Sequence, residues 1–458
     1  MSDLTCFKAY DVRGEIGVNI DEDIAYRIGR AVAQHFSAKS VAIGFDARET
    51  SPAFAAAASR GVRDAGSDVI NIGMAGTEEM YWSVTEFGAC AGIEVTASHN
   101  PIHYNGMKIV KSQSQPLEDL GDFQAIKALA SSQAWSGVTG VGRELERSEA
   151  ARKAYVERVL SFVNLPALRP LKIVVNSGNG AAGPSFDAIA ARLQDSGVPL
   201  EFVRVHHAPD AAFPNGIPNP LLPENHSATA DVVKAEKADF GVAFDGDFDR
   251  CFFFDENGRF IEGYYIVGLL AESFLEKDAS AKIVHDPRLT WNTIDIVASK
   301  GGEAVQSKTG HAFIKGRMRE EDATYGGEMS AHHYFKDFAY CDSGMVPWLL
   351  VIGLMSQQRA TLSSLVNDRM KKFPASGEIN RRLTNPQAAI DKIEEKYAVD
   401  ALDVEHTDGL SVSYKDWRFN LRMSNTEPVV RLNVESRADT ALMESKTAEL
   451  LLQLGGEV

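Results

Sequence analysis

Strand-like and helix-like segments alternate along most of this 458-residue chain, and this alternation constrains the fold more than any other feature. Apolar, β-branched runs at 41–44 and 171–175 predict strands, and the segments 51–65 and 184–193 that follow them have helical patterns. The alternation recurs over 282–299. Such an order is typical of domains with mainly parallel sheets, so we expect an α/β fold.

The chain from residue 367 onwards follows a different pattern. Polar and apolar residues alternate over 417–421 and again over 429–434, with a turn between them. This period of two predicts an antiparallel pair of strands. Because 458 residues are too many for one hydrophobic core, we expect three or four domains.

Charge and cysteine content limit the partners and the location. The net charge is −16 without a basic stripe, which argues against nucleic acid and requires local arginines and lysines to bind any anionic substrate. The four cysteines are far apart and form no CxxC pair, as expected of reduced thiols. No signal pattern is seen at the start, and the longest apolar run, 345–355, is too short to span a membrane. We expect a cytoplasmic protein without a membrane partner.

The segment Val-Thr-Ala-Ser-His-Asn-Pro at 95–101 indicates a reactive hydroxyl. Its apolar start predicts a strand, which places Ser98 at the exposed strand end, where a nucleophile can meet a substrate. Lys108 follows closely and could bind an anionic group beside that hydroxyl. Ser and Asn are also ordinary turn residues, so the segment alone leaves a simple turn as an equal alternative.

Three carboxylates, those of Asp245, Asp247 and Asp249, alternate after the apolar segment 240–244. Gly246 lets the backbone wrap closely, and hard oxygen ligands suit Mg²⁺ that a phosphate also binds. Like charges at this spacing repel unless a cation lies among them. The loop therefore predicts a magnesium site.

Two other classes of protein share short sequence patterns with this chain, one with the Asp loop and one with a glycine-rich segment. The Asp loop resembles an EF-hand calcium loop, but Arg250 stands where that loop needs Gly, and the flanking segments have strand patterns. The segment 178–183 is a G-x-G-x-x-G sequence between a strand and a helix, which favours an NAD-dependent oxidoreductase. That alternative leaves Ser98 and the Asp loop unexplained, but it stays open.

Two further loops could bind a sugar phosphate. Glu328 and Ser330, in Gly-Glu-Met-Ser, could hydrogen bond to vicinal sugar hydroxyls. The segment 422–426, Arg-Met-Ser-Asn-Thr, offers a guanidinium, two hydroxyls and an amide for a phosphate dianion. Taken alone, either segment could be a polar surface loop or a hairpin turn.

Together these motifs resemble those of the α-D-phosphohexomutase superfamily. The resemblance covers nearly the whole chain in family order, with Ala-Tyr-Asp-Val-Arg-Gly at 9–14, Thr-Ala-Ser-His-Asn-Pro at 96–101, Asp-Gly-Asp-x-Asp-Arg at 245–250, Gly-Glu-Met-Ser at 327–330 and Arg-x-Ser-Asn-Thr at 422–426. Within the superfamily, Glu-Met-Ser resembles the phosphomannomutase or dual phosphomannomutase/phosphoglucomutase group. Arg288 is a departure, since some relatives have Lys there.

The resemblance implies a fold of three mixed α/β domains of phosphohexomutase type around a central cleft. A C-terminal α+β domain like the TATA-binding protein follows them. The expected bounds are 1–148 for domain I with the phosphoserine, 149–250 for domain II with the metal loop at its end, 251–366 for domain III with the sugar-binding loop, and 367–458 for domain IV with the phosphate-binding loop.

The resemblance also implies the site residues. Ser98 would carry a phosphoryl group and would join Asp245, Asp247 and Asp249 as ligands of Mg²⁺. The residues expected around the transferring phosphoryl group are Arg13, His99, Lys108 and Arg250. The expected substrate-binding residues are Tyr10, Arg288, His311, Glu328, Ser330, His332, Arg422, Ser424, Asn425 and Thr426.

The implied reaction interconverts mannose 6-phosphate and mannose 1-phosphate through the phosphoserine. A sugar 1,6-bisphosphate would be both intermediate and activator, and glucose phosphates would also react. The partners would be small hexose phosphates, with no nucleic acid and no membrane, and the chain would be a monomer or weak dimer. Three alternatives remain: a phosphoglucomutase as the main activity, an NAD-dependent oxidoreductase, and a non-catalytic sugar-phosphate-binding protein.

Overall fold

The computed structural model describes the chain except for residues 1–3, 9, 138–139, 424–428 and 457–458, and the side chain of residue 119. The chain divides into two compact units. Unit 1 comprises Met1–Phe260 and His332–Ala360, and unit 2 comprises Ile261–Ala331 and Thr361–Val458. Both units combine helices with β-sheets, so the expected mixed α/β class is confirmed.

The first sheet of unit 1 is mixed, with parallel pairing at its centre. Its strands lie in the order Val12–Glu15, Tyr104–Lys111, Ala91–Val95, Ser40–Phe45, Asp68–Met74 and Glu144–Glu146, with Gln115–Pro116 beside Tyr104–Lys111. The associated helices are Glu22–His35, Ser51–Asp64, Thr77–Glu86 and Gln124–Ser132. Every residue of Ala91–Val95 is buried, as an inner strand requires, and the Ser98 segment begins directly after it.

The second sheet of unit 1 places the Asp loop directly after a buried strand, as the first sheet does for the Ser98 segment. Its strands lie in the order Cys251–Phe254, Phe240–Phe244, Leu171–Asn176 and Leu200–Val205. Phe240–Phe244 is fully buried, pairs in parallel with Leu171–Asn176 and antiparallel with Cys251–Phe254, and ends at Asp245. Ligand sites in α/β folds form beyond the carboxyl ends of such strands.

The other elements of unit 1 complete its layers. The remaining helices are Ser148–Leu160, Ala182–Asp195, Ser227–Glu236 and Met345–Gln358. The short helical turns are Ser112–Ser114, Asp119–Phe123, Leu165–Ala167, Pro223–Asn225 and Lys336–Phe338. Two short strands, His333–Phe335 and Cys341–Asp342, pair antiparallel. The strand Phe260–Ile261 falls at the division between the units.

Unit 2 contains a parallel part and an antiparallel part. The parallel strands are Glu303–Gln306, Lys282–His285 and Tyr325–Gly327, with helices Gly263–Leu275, Trp291–Lys300 and His311–Glu321. The antiparallel strands lie in the order Ile379–Arg382, Val429–Ser436, Trp417–Met423, Leu410–Ser413 and Asp403–Glu405, with helices Leu362–Lys372, Pro386–Tyr397 and Thr440–Leu454.

The antiparallel sheet of unit 2 has two different faces. On one face Phe419, Leu421 and Leu432 belong to an apolar core that includes residues of the helices Pro386–Tyr397 and Thr440–Leu454. On the other face the alternate residues are polar, and most are buried: Arg418, Asn420, Arg422, Arg431, Asn433 and Glu435. Burying polar side chains costs free energy of folding unless they have hydrogen-bond partners. A buried polar face is therefore a candidate for a functional surface.

The element bounds agree closely with the sequence-based expectations. The strand predicted at 171–175 is Leu171–Asn176, and the helix predicted at 184–193 is Ala182–Asp195. The expected domain boundaries after residues 148, 250 and 366 stay predictions, and the last of them falls within the helix Leu362–Lys372. None of the helices in the described part of the chain has the length and apolar character needed to cross a membrane.

Candidate active site

Ser98 lies in unit 1 beyond the carboxyl end of the strand Ala91–Val95, as predicted. The expected exposure is wrong, because the Asp loop contacts Ser98 and buries it to 6% exposure. Its φ of +47° is in the left-handed region, which a non-glycine residue adopts only when its surroundings hold it there. Its hydroxyl donates to Asp245 Oδ2 at 2.8 Å and lies 3.1 Å from His99 Nδ1. The Arg250 guanidinium also donates to this hydroxyl, at 3.3 Å. Ser98 is therefore in contact with the Asp loop across 147 residues of sequence.

Arg48 fixes the backbone of the Ser98 segment, a role that the sequence did not indicate. Its Nη2 donates to the carbonyls of Ser98 at 2.9 Å and Asn100 at 2.6 Å. Its Nη1 donates to the carbonyls of Pro101 at 3.1 Å and Tyr104 at 3.0 Å. Four bonds from one buried guanidinium replace the hydrogen bonds that this loop backbone would otherwise make with water.

Asp46 supports the same segment from the other side. Its Oδ2 accepts from the Thr96 hydroxyl at 2.7 Å, and the Thr96 hydroxyl in turn accepts from the Ser98 N–H at 2.8 Å. Asp46 also accepts from the N–H of Arg48 at 3.0 Å. The positive φ of Ser98 is thus held by hydrogen bonds at both its N–H and its carbonyl.

Lys108 lies among the carboxylates of the Asp loop. Its ammonium donates to Asp247 Oδ2 at 2.8 Å and to Asp249 Oδ2. Burial opposes the charge of Asp247, but the Lys108 ammonium and the Thr77 hydroxyl, which donates at 2.6 Å, hold the pKa of Asp247 well below its usual value. Burial raises the pKa of Asp245 to about 6, although Arg250 acts against this rise. Lys108 supplies a cation to two of the three neighbouring carboxylates.

The Asp loop fits a divalent metal. One carboxylate oxygen from each of Asp245, Asp247 and Asp249 lies within 4.8 Å of the others. Their Oδ1 atoms are buried, and in the described part of the chain none of the three accepts a hydrogen bond. Buried carboxylate oxygens without donors are costly, and an oxygen-binding cation would satisfy all three. The flanking strands Phe240–Phe244 and Cys251–Phe254 exclude an EF-hand, which needs helices there.

Arg250 links the Asp loop to the hydroxyl segment. Its Nε donates to Asp245 Oδ2 at 2.8 Å, and its Nη2 donates to His99 Nδ1. Burial and the Arg250 charge lower the pKa of His99 well below its ordinary value, so the imidazole is neutral. Arg13 binds the carbonyl of Thr96 at 2.9 Å and forms an ion pair with Asp11 at 3.5 Å. Tyr10, half-buried, directly precedes Asp11 in the chain.

His332 lies in unit 1 with the Asp loop. Its Nδ1 is 3.1 Å from Asp342 Oδ2 and 3.9 Å from Asp249 Oδ1. An antiparallel bridge pairs its backbone with that of Arg250. The buried carboxylate of Asp342, which the sequence did not single out, orients this ring.

The glycines of the G-x-G-x-x-G segment have a packing role. A Cβ on Gly180 would lie 2.8 Å from the carbonyl oxygen of Gly246, and one on Gly183 would lie 2.1 Å from that of His207. Gly246 itself packs against the Ser98 segment, since its Cβ would lie 2.5 Å from the Ser98 carbonyl oxygen. Three backbone segments therefore stack without room for side chains, and this packing accounts for the motif without a dinucleotide.

Four predicted substrate-binding residues come together in unit 2. Arg288 Nη2 donates to the Ser330 hydroxyl at 3.1 Å and lies 3.6 Å from Glu328 Oε1. Glu328 accepts from the N–H of Gly310 at 2.9 Å, and His311 follows as the first residue of its helix. The two carboxylate oxygens of Asp286 accept from Arg288, at 3.1 Å from its Nε and 2.8 Å from its Nη2.

Arg422 is also in unit 2, in a cluster of arginines that share one carboxylate. Its Nη2 is 3.2 Å from Glu378 Oε2, and Arg288 and Arg431 are 3.4 and 3.5 Å from the same carboxylate group. The predicted residues Ser424, Asn425 and Thr426 lie outside the described residues. Glu378 and Arg431 had no motif around them in the sequence.

The two groups of side chains suit different parts of phosphate chemistry. The group in unit 1 combines a hydroxyl, three carboxylates that could hold a metal and an imidazole, which are side chains suited to transferring a phosphoryl group. The group in unit 2 combines guanidiniums with a carboxylate and a hydroxyl, which are side chains suited to binding an anionic sugar.

Family models match four consecutive parts of the chain. They are described as Phosphoglucomutase/phosphomannomutase, with alpha/beta/alpha domain I at residues 5–134, domain II at 153–258, domain III at 262–373 and the C-terminal domain at 378–452. These matches confirm the expected phosphohexomutase fold class.

Individual proteins are similar over the full length. A phosphomannomutase of Salmonella montevideo is 58% identical over 451 residues, covering 98% of this chain and 99% of that protein. A phosphomannomutase of Escherichia coli (strain K12) is 56% identical over 454 residues, covering 99% and 100%. The crystal structure of a phosphoglucomutase/phosphomannomutase family protein from Burkholderia thailandensis has a TM-score of 0.86 and 32% identity, covering 100% of this chain and 99% of that one. The chain therefore belongs to the phosphoglucomutase/phosphomannomutase family.

Proposed function

We propose that this protein interconverts mannose 6-phosphate and mannose 1-phosphate and also acts on glucose phosphates. The observation that carries the proposal is the Ser98 hydroxyl, 2.8 Å from Asp245 Oδ2. Asp245 belongs to a loop whose three Oδ1 oxygens accept no hydrogen bond from the described residues and fit a metal. Full-length similarity to proteins named phosphomannomutase supports mannose phosphates as substrates. The bisphosphate intermediate would be a sugar 1,6-bisphosphate, which also keeps Ser98 phosphorylated.

In the proposed first step, the phosphoryl group of phosphorylated Ser98 passes to a sugar hydroxyl. The bond between phosphorus and Ser98 Oγ breaks as the bond to the sugar oxygen forms; the sugar hydroxyl gives up its proton, and Ser98 Oγ takes one up. In the second step the bisphosphate is bound in the reverse orientation. The bond between its other phosphorus and the sugar oxygen breaks as the bond to Ser98 Oγ forms, Ser98 gives up its proton, and the freed sugar oxygen takes one up. Such transfers depend on positioning and charge neutralisation more than on covalent chemistry. Arg250 supplies charge beside Ser98, and Lys108 supplies charge at the Asp loop.

A Mg²⁺ held by Asp245, Asp247, Asp249 and a phosphoserine oxygen would neutralise charge on the transferring group. The residues of the chain prepare that position, since Lys108 and Thr77 bind the Oδ2 oxygen of Asp247 and leave its Oδ1 for a metal.

The proton of the sugar hydroxyl needs an acceptor. His99 is a poor one, because burial and Arg250 keep its pKa low. His332 is better suited, because the Asp342 carboxylate at 3.1 Å would stabilise its charged form. We propose His332 as the proton acceptor in unit 1.

We assign the residues of unit 2 to the sugar and its second phosphate. Glu328 and Ser330 would bind sugar hydroxyls, with Arg288 and His311 beside them, and Arg422 would bind the phosphate that does not react. Tyr10 and Arg13 of unit 1 would complete the surroundings of the transferring group. The reversal of the bisphosphate means that the same groups must accept the sugar in both orientations.

A coupled assay with mannose 1-phosphate and glucose 1-phosphate tests this proposal. We expect turnover of both sugars with a specificity ratio below about 10⁴, because the contacts assigned to Glu328 and Ser330 involve hydroxyls other than the one at C2. A larger ratio would require a dedicated contact at C2. Binding without interconversion would favour a sugar-phosphate-binding protein, and NADH consumption would favour an oxidoreductase. We further propose a cytoplasmic location and a monomer or weak dimer, which cell fractionation and gel filtration test.

A further inference from the structure

The antiparallel sheet of unit 2 binds the loop that carries Arg288 through one buried ion pair. Arg418 and Glu435 lie opposite each other on the polar face of the sheet, and their side chains pair at 2.9 Å. Both side chains are buried. Removing either partner would leave an uncompensated charge in the interior, so the two side chains act as one unit.

Arg418 binds the backbone of this loop. Its Nη1 donates to the carbonyl of Arg288 at 3.0 Å, and its Nη2 donates to the carbonyl of Pro287 at 2.9 Å. The N–H of Arg288 donates to Asp286 Oδ1 at 2.9 Å. Both backbone polar groups of Arg288 therefore have partners, and these contacts fix the point from which its side chain extends.

Glu435 binds the other end of the loop, where the next helix begins. Its Oε1 accepts from the N–H of Thr290 at 2.8 Å and from that of Trp291 at 3.3 Å. The Tyr264 hydroxyl donates to Glu435 Oε2 and accepts from the N–H of Asn292 at 2.6 Å. Among the described residues, Thr290 at the N-cap position forms no capping hydrogen bond with its own side chain. The carboxylate from the sheet takes the place of that cap, and its charge suits the positive end of the helix dipole.

The side chain of Arg288 extends from this loop to the segment expected to bind the sugar. Its Nη2 donates to the Ser330 hydroxyl at 3.1 Å and lies 3.6 Å from Glu328 Oε1. Asp286, in the same loop, accepts from the N–H of Met329 at 2.9 Å. The ion pair of the sheet therefore sets where Arg288 stands relative to the Ser330 hydroxyl.

We propose that Arg418 and Glu435 are positioning residues for sugar binding, which hold the loop 287–291 so that Arg288 can contact the sugar. Both act through Arg288, and neither touches the substrate. The inference deepens the proposed function and rests on it for the identity of the sugar phosphate. It also accounts for part of the buried polar face, because two of the charged side chains on that face bind protein backbone.

Binding of mannose 1-phosphate to Ser98→Ala protein tests the inference without turnover. In isothermal titration calorimetry, we expect Arg418→Lys to raise Kd about tenfold, because a lysine keeps a charge beside Glu435 but lacks the planar fork that binds two carbonyls. Arg288→Gln should also weaken binding, since it removes the guanidinium itself. If Arg418 acts through Arg288, adding Arg418→Lys to Arg288→Gln should change Kd by less than about twofold.

Two control variants separate positioning from loss of stability. Phe419→Leu, on the apolar face of the same sheet, should lower Tm without changing Kd. Arg381→Lys repeats the substitution at a residue that binds only the neighbouring carbonyl of Asn380, so Kd should not change. Additive effects of Arg418→Lys and Arg288→Gln would overturn the inference. It would also be overturned if Kd in Arg418→Lys rose no more than in Arg381→Lys or Phe419→Leu.

Hydrogen exchange tests the loop itself and needs no ligand. In Glu435→Gln the amides of Thr290 and Trp291 should exchange about tenfold faster, because an amide oxygen is a weaker acceptor than a carboxylate. The amides of the strand Trp417–Met423 should be accelerated less, since their partners are in the sheet. Equal acceleration of the loop and the strand, or none in the loop, would overturn the role of Glu435.

Kinetics separate this inference from the proposed function. In the active enzyme, Arg418→Lys should raise KM for mannose 1-phosphate with a smaller fall in kcat, and this rise should be lost in the Arg288→Gln background. A wild type that binds mannose 1-phosphate without interconverting it would refute the proposed function, while the Kd comparison would still decide the role of Arg418. Additive effects with an active wild type would refute the inference alone. A protein that neither binds nor converts mannose 1-phosphate would refute both.

Discussion

The charged clusters of the two units are built in opposite ways. In unit 1, three carboxylates share two cations: Lys108 binds Asp247 and Asp249, and Arg250 binds Asp245. In unit 2, Arg422 and Arg431 share the single carboxylate of Glu378. Among the residues that the structure describes, the first cluster has acceptors without hydrogen bonds and the second has donors without them, so the first suits a cation and the second an anion.

This difference suggests that the cluster of unit 1 serves group transfer and the cluster of unit 2 serves substrate binding. The cluster of unit 1 is buried and closely bonded, as expected where a group must be transferred with little reorganisation. The cluster of unit 2 includes the partly exposed side chain of Arg431 beside the buried Arg422, as expected where a substrate is held and released. Changes in unit 1 should therefore act mainly on kcat, and changes in unit 2 mainly on KM.

The largest effect should come from Ser98→Ala, which removes the proposed carrier from unit 1. We expect mutase activity to fall by about 10⁴-fold or more, as for other catalytic nucleophiles, and the phosphate adduct to disappear from the intact-protein mass spectrum. Ser132→Ala, at an exposed position, is the control. A fully active Ser98→Ala protein would leave unit 1 without a catalytic role.

Removing the metal should have the next largest effect. Chelation with EDTA should abolish turnover and Mg²⁺ should restore it, and Asp247→Asn should cost about 10²-fold or more in kcat because one ligand charge is lost. Asp231→Asn, an exposed carboxylate of the same unit, should have no effect. Undiminished turnover in EDTA would show that the surplus acceptors of the Asp loop serve another purpose.

Arg422→Ala tests whether the cluster of unit 2 acts in substrate binding. We expect KM to rise by about 10- to 100-fold with a smaller fall in kcat, since a charged hydrogen bond to phosphate is lost. Ser98 should still carry phosphate in the mass spectrum, because its own contacts lie in unit 1. Loss of phosphoserine in Arg422→Ala would contradict the assignment of substrate binding to unit 2 and group transfer to unit 1.

The smallest of these effects should follow from Arg48→Lys. A lysine cannot serve four carbonyls from a planar fork, so the Ser98 segment should lose some of its order. We expect kcat to fall about tenfold with little change in KM, since small misplacements of reacting groups are costly. Arg60→Lys, at an exposed site, controls for the substitution. A rise in KM without a change in kcat would mean that the loop geometry serves binding instead.

The sequence predicted best those site residues that lie in a short motif directly after a predicted strand. Ser98 and the Asp loop each follow a buried strand directly, so strand prediction and motif pointed to the same residues. Arg48 and Asp46 could have been found by the same reasoning, because they follow the strand Ser40–Phe45, which runs parallel to Ala91–Val95. The carboxyl ends of parallel neighbours meet at one edge of a sheet.

Other residues gave no signal because their partners are distant in the chain. Thr77 is 170 residues from Asp247, and a single threonine in a helix start carries no mark of that contact. Arg431 and Glu378 needed the strand register, which fixes which side chains lie opposite each other and which a one-residue shift would change. A propensity-based analysis does not supply that register.

The stacking of Gly180, Gly246 and the Ser98 carbonyl has a consequence for motion within unit 1. Where backbone rests on backbone, no side chain can change rotamer to widen or narrow the gap. A displacement of the Asp loop must then push the Ser98 segment in the same direction. The distance between the Ser98 hydroxyl and the carboxylates of the Asp loop should thus fluctuate far less than the position of either segment.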